Sequence, residues 1–384
     1  MIFLWLNKRD WRTPGPIVNM AVHNAHALAA LGHETHLFVA AGAAESDIGS
    51  DLTDFYGLDA RDELHVHRIQ RWEVGRSRLA LPVFLHAYRA VQRLASRDEI
   101  TVVTRDATFL PLLARLVRNP RIKGFFEAHD LYADLSWRTN RVKIGDRRQG
   151  WLERTFLPRI SGLICLTEAQ RNLYRKVLPQ VKSIALPLGT KKFPAVDSGE
   201  RRKRRTVAYT GRLTSEKGTK LLLRAVPELA RRDIRVAFFG GWPEQIAVQR
   251  ERLQTQGLAE FVDFDEFRAP ADYHRALAAK ASLGVVALQD TFYNRYLTCP
   301  VKALDYLSHG LPVIGSDLPS IREVAGEAAA YVAPEDAASV VANAVKLLDD
   351  PDVYRRASEL SLRRSSELLW RKRAAKIAEF ARAV

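Results

Sequence analysis

Short apolar runs of β-forming residues alternate with segments of helical period through most of the chain, and the alternation starts twice. Ile2 to Leu6 reads as a strand, Ile17 to Leu31 as a helix and His36 to Ala40 as a second strand. Ile100 to Thr104, Ile122 to Phe126 and Gly162 to Leu166 are further strands, each followed by a segment long enough for a crossover. Strands joined in this way pair in parallel, and a parallel sheet needs helices on both faces. The pattern breaks at Ile184 to Gly189 and passes through a polar, proline-containing stretch that ends in Arg201-Arg202-Lys203-Arg204-Arg205. It resumes with a strand at Thr206 to Thr210, a helix at Leu221 to Ala230, a strand at Val236 to Phe239, a helix around Glu244 to Thr255 and strands at Phe261 to Phe264 and Leu283 to Leu288. From Ala337 onward helices alone are expected, the last an amphipathic one around Trp370. The organisation expected is an α/β domain over 1–188, a linker over 189–205 and a second α/β domain over 206–365. The basic run reads as exposed linker, and a ligand is expected in a crevice between two such units at the carboxyl ends of their strands.

Composition narrows the classes. The 384 residues carry 59 lysines and arginines against 44 aspartates and glutamates, a formal charge of +15, which suits an anionic partner without choosing among nucleic acid, a membrane surface and phosphorylated small molecules. Cys165 and Cys299 are the two cysteines, too few for a disulfide framework or a four-cysteine zinc site. The first residues place their basic side chains after the apolar run, the reverse of a signal peptide, and no apolar stretch reaches the roughly 18 residues of a membrane span. A cytoplasmic protein is expected, with peripheral association at the inner face of a membrane left open.

Two segments carry chemistry. Thr210-Gly211-Arg212-Leu213-Thr214-Ser215-Glu216-Lys217-Gly218 follows the first strand of the second domain and precedes a helix. Its glycines permit close backbone approach and its two cations can reach neighbouring anionic groups, so it reads either as a phosphate clamp or as a surface loop with a helix start. In Thr298-Cys299-Pro300-Val301-Lys302-Ala303-Leu304-Asp305-Tyr306-Leu307-Ser308-His309-Gly310, Pro300 suits a helix start and Gly310 a helix end. Free amides at that start could face a phosphate, and Asp305 could accept from sugar hydroxyls or stand as a solvated carboxylate.

Taken together, in this order, the two segments resemble the retaining nucleotide-sugar glycosyltransferases of GT-B fold, the group 1 or family 4 class. Pro14-Gly15-Pro16 is similar to that family's opening loop, Phe126-Glu127-Ala128-His129-Asp130 to its N-domain histidine segment, and Leu163 to Gln170 with Pro187-Leu188-Gly189 to the end of its first domain. The resemblance implies two Rossmann-like, doubly wound domains facing a central cleft, with the final helix, 366–384, completing the first. It implies a metal-independent hexosyltransferase that moves a sugar from a UDP- or GDP-sugar donor, with no cofactor, to a glycan, lipid-linked or small-molecule acceptor. Bacterial polysaccharide or glycolipid assembly is the implied setting. Arg212 and Lys217 would hold the diphosphate and stabilise the departing charge, and His129 would orient the reacting sugar. Gly15, Gly211, Gly240 and Gly241 would line the donor, Thr298 would lie in the loop facing the diphosphate, and Asp305 would bind the ribose. Two positions depart from the family: Leu297 stands where its first motif glutamate is found, and Asp305 replaces its second.

Several features have simpler readings. Asp263-Phe264-Asp265 spells a metal-binding pattern of another glycosyltransferase fold but falls on an expected strand, and the histidines His23, His26, His33, His36, His65 and His67 show no fixed ligand spacing. No metal site is expected from either. The stretch Arg138 to Arg159, with Trp137 and Trp151 and a surplus of basic residues, reads as an anionic-membrane contact or as a solvated helix face. Nucleic-acid binding is the competing function, and an inactive nucleotide-sugar-binding relative is the third. No nucleic-acid module is recognisable, so no nucleic-acid partner is expected.

Overall fold

In the computed structural model, residues 1–42, 46–74, 77–139, 141–194 and 196–384 are described; residue 195 of the linker expected at 189–205 lies outside them. The chain divides into two units, Met1–Leu188 with Trp370–Val384, and Gly189–Leu369.

The first unit is built on a seven-stranded sheet. Its strands are β1 (Ile2–Asp10), β2 (Glu34–Ala40), β3 (Leu64–Ile69), β6 (Ile100–Thr104), β7 (Ile122–Ala128), β8 (Gly162–Cys165) and β9 (Ser183–Ala185), while β4 (Trp72–Val74) and β5 (Ser77–Leu79) form a separate antiparallel hairpin. The sheet order is β3-β2-β1-β6-β7-β8-β9, parallel throughout. Phe3, Leu4, Val102, Val103 and Ile164 are fully or almost fully buried, as both faces of a parallel sheet require. The order reverses between β1 and β6, so the loops after β1, β6 and β7 share the carboxyl end of the sheet at a topological switch point, where doubly wound folds bind their ligands.

The last helix, Trp370–Ala383, belongs to this unit and packs on the helix Pro16–Ala29. Its Ile377, Ala378 and Ala381 are buried, Phe380 meets Phe125 with ring centroids 5.3 Å apart, and Trp370 stacks on His23. A Cβ on Gly162 would meet the Phe125 and Phe380 rings at 3.0 Å, so glycine at the start of β8 lets helix and sheet approach.

The second unit repeats the plan with six parallel strands, β10 (Thr206–Thr210), β11 (Arg235–Gly241), β12 (Val262–Glu266), β13 (Leu283–Val286), β14 (Val313–Ser316) and β15 (Ala329–Val332). Their order is β12-β11-β10-β13-β14-β15, with the switch between β10 and β13. Val207, Tyr209, Val236, Phe238 and Val285 fill the core with Leu222, Val226 and Leu229 from the helix Thr219–Ala230. Strands β3, β9 and β15 escape the sequence reading; each is an edge strand, paired on one side only.

The basic run corrects one expectation. It is not exposed linker: Ser198–Lys203 is a helix of the second unit, and Arg201 is 2% exposed. Its arginines reach the carboxyl ends of four helices. Arg201 donates to the Gly310 carbonyl (2.9 Å) after Val301–Ser308, and Arg202 to Leu348 (2.6 Å) in the last turn of Ala337–Asp349. Arg204 donates to Ala278 (2.6 Å) near the end of Pro270–Lys280, and Arg205 to the Arg232 and Asp233 carbonyls after Thr219–Ala230. In an α/β unit these helix ends lie beside the amino ends of the strands, where β10 begins. Guanidinium groups there satisfy orphan carbonyls and oppose the negative pole of each helix.

Candidate functional site

The carboxyl end of the second sheet gathers the residues singled out in sequence. From β10 the chain turns at Gly211 (φ 108°) and passes Arg212 and Leu213 into a short helical turn, Ser215–Lys217. It turns again at Gly218 (φ 92°) into the helix Thr219–Ala230. A Cβ at Gly218 would lie 1.9 Å from the Ala287 carbonyl oxygen, so both the dihedral and the space demand glycine. The Gly211 amide donates to the Phe239 carbonyl (2.7 Å), which brings the end of β11 alongside. There a Cβ on Gly240 would meet the Phe267 ring at 2.9 Å, and one on Gly241 would meet Leu213 and Ile246 at 2.7 Å. Gly240 and Gly241 therefore let three loops close on one another.

Cations crowd this loop. Lys217 is partly buried, with its Nζ 5.5 Å from the Tyr293 ring centroid, and burial together with the Arg212 charge pushes its pKa down. Lys302, one residue into the helix Val301–Ser308, lies with its Nζ 3.9 Å from the Tyr209 ring centroid and donates to the Lys217 carbonyl (3.2 Å). Burial, then the neighbouring Lys217, holds its pKa well below the ordinary lysine value. Lys302 was not singled out in sequence, although it lies in the same segment, Thr298 to Gly310, as Asp305. Like charges brought together in low dielectric are a configuration that a bound anion relieves.

Asp305 follows on the same helix. Its Oδ2 accepts from the Tyr273 hydroxyl (2.9 Å), and burial pushes its pKa up to about 7 against that hydrogen bond. Thr298 is 8% exposed at the end of a π-helical turn, Tyr293–Leu297, with its amide donating to the Tyr293 carbonyl (3.0 Å). Leu297, where the resemblance leads one to expect a glutamate, is fully buried. The backbone there directs the side chain into the core.

Gly15 and His129 belong to the first unit. Gly15 (φ 109°) precedes the helix Pro16–Ala29, and a Cβ on it would meet nothing within 4 Å, so its glycine serves the backbone dihedral. His129 follows β7 and its Nε2 lies 2.6 Å from Glu127 Oε1. Burial and the Arg105 charge push the imidazole down to about 4, outweighing Glu127, so it is neutral at pH 7. Glu127 is itself paired with Arg373 of the last helix at 2.6 Å, both side chains 3% exposed. Arg373 also donates to Asn24 Oδ1 and to the Pro187 carbonyl (2.9 Å). Burial alone would raise the Glu127 carboxyl, but Arg373 and His129 outweigh it and hold it well below the usual carboxylate range. The final helix thus reaches His129 through two side chains, a connection no sequence spacing announced.

The loop after His129 is fastened by Glu153, whose Oε2 accepts from the amides of Tyr132 (3.0 Å) and Ala133 (2.7 Å) and from the Tyr174 hydroxyl (2.9 Å). Glu153 is 1% exposed and burial pushes its pKa up to about 8, so it does not offset the surface charge around it. On the same helix, Ile144–Phe156, Ile144 is 89% and Trp151 55% exposed, two turns apart on one face, among exposed Lys143, Arg147, Arg148 and Arg154. Arg138 turns inward to Asp130 (2.8 Å). Asp263 and Asp265 meet Arg235 (3.7 Å), Arg268 (2.9 Å) and Lys280 (3.1 Å), and both cysteines are buried thiols outside any disulfide. No helix among the described residues is long and apolar enough to cross a membrane.

Comparison with known proteins bears on both units. Residues 17–189 match the family model of the glycosyl transferase 4-like domain, and residues 204–350 that of glycosyl transferases group 1. No curated protein matches the sequence. The fold is similar to sucrose-phosphate synthase from Thermosynechococcus elongatus, with a TM-score of 0.73 and 18% identity over 100% of this chain and 98% of that one. It is also similar to HepE of Anabaena in complex with UDP-glucose, with a TM-score of 0.70 and 16% identity over 100% of both chains. The pneumococcal O-GlcNAc transferase GtfA in complex with UDP and GlcNAc gives a TM-score of 0.72 and 12% identity over 100% of this chain and 99% of that one. With both units matched in chain order and the cation-bearing glycine loop at the carboxyl end of the second sheet, the chain belongs to the group 1, family 4-like glycosyltransferases of GT-B fold.

Proposed function

We propose that the protein is a retaining, metal-independent glycosyltransferase that moves a hexose from a UDP-sugar to a glycan or lipid-linked acceptor in bacterial polysaccharide or glycolipid assembly, working at the cytoplasmic face of a membrane. The crowding of Lys217 and Lys302 at the carboxyl end of β10, with the exposed Arg212 beside them, carries the reading, since a diphosphate would neutralise charges that the fold brings together. Of the solved structures similar to this chain, HepE holds UDP-glucose and GtfA holds UDP and GlcNAc, which favours UDP as the nucleotide.

In this reading Gly211, Gly240 and Gly241 admit the donor close to the backbone, and Arg212 and Lys217 meet the negative charge that grows on the leaving diphosphate. Lys302 braces Lys217 through its carbonyl. The amides that follow Thr298, whose own N–H is held by the Tyr293 carbonyl, face the diphosphate, and Asp305 accepts from the ribose hydroxyls once ionised. Gly15 gives the first unit's loop its approach to the donor, and neutral His129, held by Glu127, orients the reacting sugar. With Leu297 buried, recognition of the sugar hydroxyls falls to other groups. The exposed Ile144 and Trp151 with their basic neighbours form the membrane contact.

Calorimetry with UDP, GDP and ADP tests the proposal on the wild type and on Arg212→Ala. UDP is expected to bind selectively and to weaken at least about tenfold in the variant, a loss in the range of one charge-assisted contact. UDP release on incubation with UDP-sugars should fall by about 2 to 4 kcal/mol of transition-state stabilisation. Equal UDP binding by both chains refutes the clamp; binding without release would mark an inactive relative, the reading that the buried Leu297 favours.

A further inference from the structure

The outer edge of the first sheet gathers a second set of chemically competent side chains. Strands β2 and β3 run in parallel with His36 beside His65 in register, and Glu34 lies two residues before His36, on the same face of β2. Glu34, His36 and His65 each offer a ligand atom within 4.8 Å of the others. We propose that these three residues form a binding site for a divalent transition metal, with zinc as the first candidate.

The chemistry of the set fits. Two imidazoles and one carboxylate are a common three-ligand zinc group, which leaves the fourth tetrahedral position to water. His36 Nε2 already lies 3.0 Å from Glu34 Oε1, close to the spacing of two ligands on one ion. His36 Nδ1 lies 3.0 Å from His67 Nε2, so an Nδ1–H donated to His67 leaves Nε2 bare for the metal and fixes the ring, the outer-shell arrangement that metal-bound imidazoles use. His67 is held in turn, its ring stacked 4.3 Å from that of Phe38. Glu34 and His65 are exposed, which provides entry from solvent, while His36 is nearly covered. Imidazole-rich sets favour zinc, nickel and copper over magnesium and calcium.

The position gives the site its consequence. Glu34 opens β2 and His65 is the second residue of β3, so the ligands lie at the amino end of the sheet, whereas Gly15 and His129 follow the carboxyl ends of β1 and β7. A metal there would clamp edge strand β3 to its neighbour and stabilise the first unit without entering the transfer chemistry. The inference therefore stands apart from the donor reading.

The test is titration of the chelator-treated full chain with Zn²⁺ and with Co²⁺, alongside His65→Ala, His67→Ala and a Mg²⁺ control. One equivalent of Zn²⁺ is expected to bind and to raise the thermal midpoint, and Co²⁺ should give the visible absorption of a four-coordinate site. His65→Ala, an exposed position, should lose at least tenfold in affinity together with the cobalt signal, and His67→Ala about tenfold, the effect of an outer-shell partner. UDP affinity should be unchanged in His65→Ala. Zinc binding of equal strength in wild type and His65→Ala would be adventitious and would overturn the proposal, as would absence of zinc binding or a preference for Mg²⁺.

Discussion

Replacing Asp305 by asparagine should weaken nucleotide binding and yet stabilise the protein, by an amount that depends on pH. In the folded protein burial pushes the Asp305 carboxyl up to about 7 from its ordinary 3.8. Between those values the folded state holds a proton that the unfolded chain releases. Stability therefore falls as pH rises from about 4 to 7 and levels off above. At roughly 1.4 kcal/mol per pH unit, full expression across that window would cost the wild type about 4 kcal/mol at pH 8, and relaxation around the ionised group reduces this to about 2 to 3. Asparagine carries no charge, and its Oδ1 can still accept from the Tyr273 hydroxyl. The Asp305→Asn protein should therefore match the wild type near pH 4 and exceed it by about 2 kcal/mol at pH 8. Urea unfolding at several pH values measures the gap, and calorimetry at pH 8 should show UDP bound at least about tenfold more weakly, because the charged acceptor for the ribose is gone. Parallel stability profiles for the two chains would refute the buried-carboxylate reasoning; unchanged UDP affinity would refute the ribose assignment.

Two further predictions follow from the first unit. Arg373→Met leaves Glu127 buried without its guanidinium and should cost about 3 to 5 kcal/mol at pH 7, much of it recovered in the double variant Arg373→Met with Glu127→Gln. Because Arg373 depresses the Glu127 pKa and its loss lets burial raise it, the penalty is full where the carboxyl is ionised in both chains and shrinks as pH falls and the variant's Glu127 takes up a proton; thermal unfolding at pH 7 and pH 4 measures the narrowing, and a pH-independent difference would refute the linkage. The 384-residue chain should co-sediment with vesicles rich in anionic lipid at low salt, and Arg147→Glu with Arg148→Glu should abolish this, each lost cation contributing about 1 kcal/mol. Absence of the wild-type protein from those pellets would remove the membrane contact.

The repeated alternation, the glycine turns at Gly211 and Gly218 and the helix limits at Pro300 and Gly310 were legible in sequence because each depends on a few neighbouring residues: on apolar period, on a positive φ, or on a missing amide. The short edge strands β3, β9 and β15 were not, since each is held in place by pairing with a single neighbour from elsewhere in the chain. Other features exist only once distant segments meet. Lys302 gains its perturbed charge by lying against Lys217, Asp305 its proton affinity from burial beside Tyr273, and His129 its tether from Glu127 and Arg373 at the far end of the chain. The run Arg201 to Arg205 had the composition of a solvated linker and became instead a set of helix caps, because the carbonyls that receive it come from segments scattered over the second unit. Sequence alone determined the two α/β units and the loops that turn at their strand ends. The tertiary structure decided which charges share a site, because burial and distance set a side chain's electrostatics and neither is a property of the local sequence.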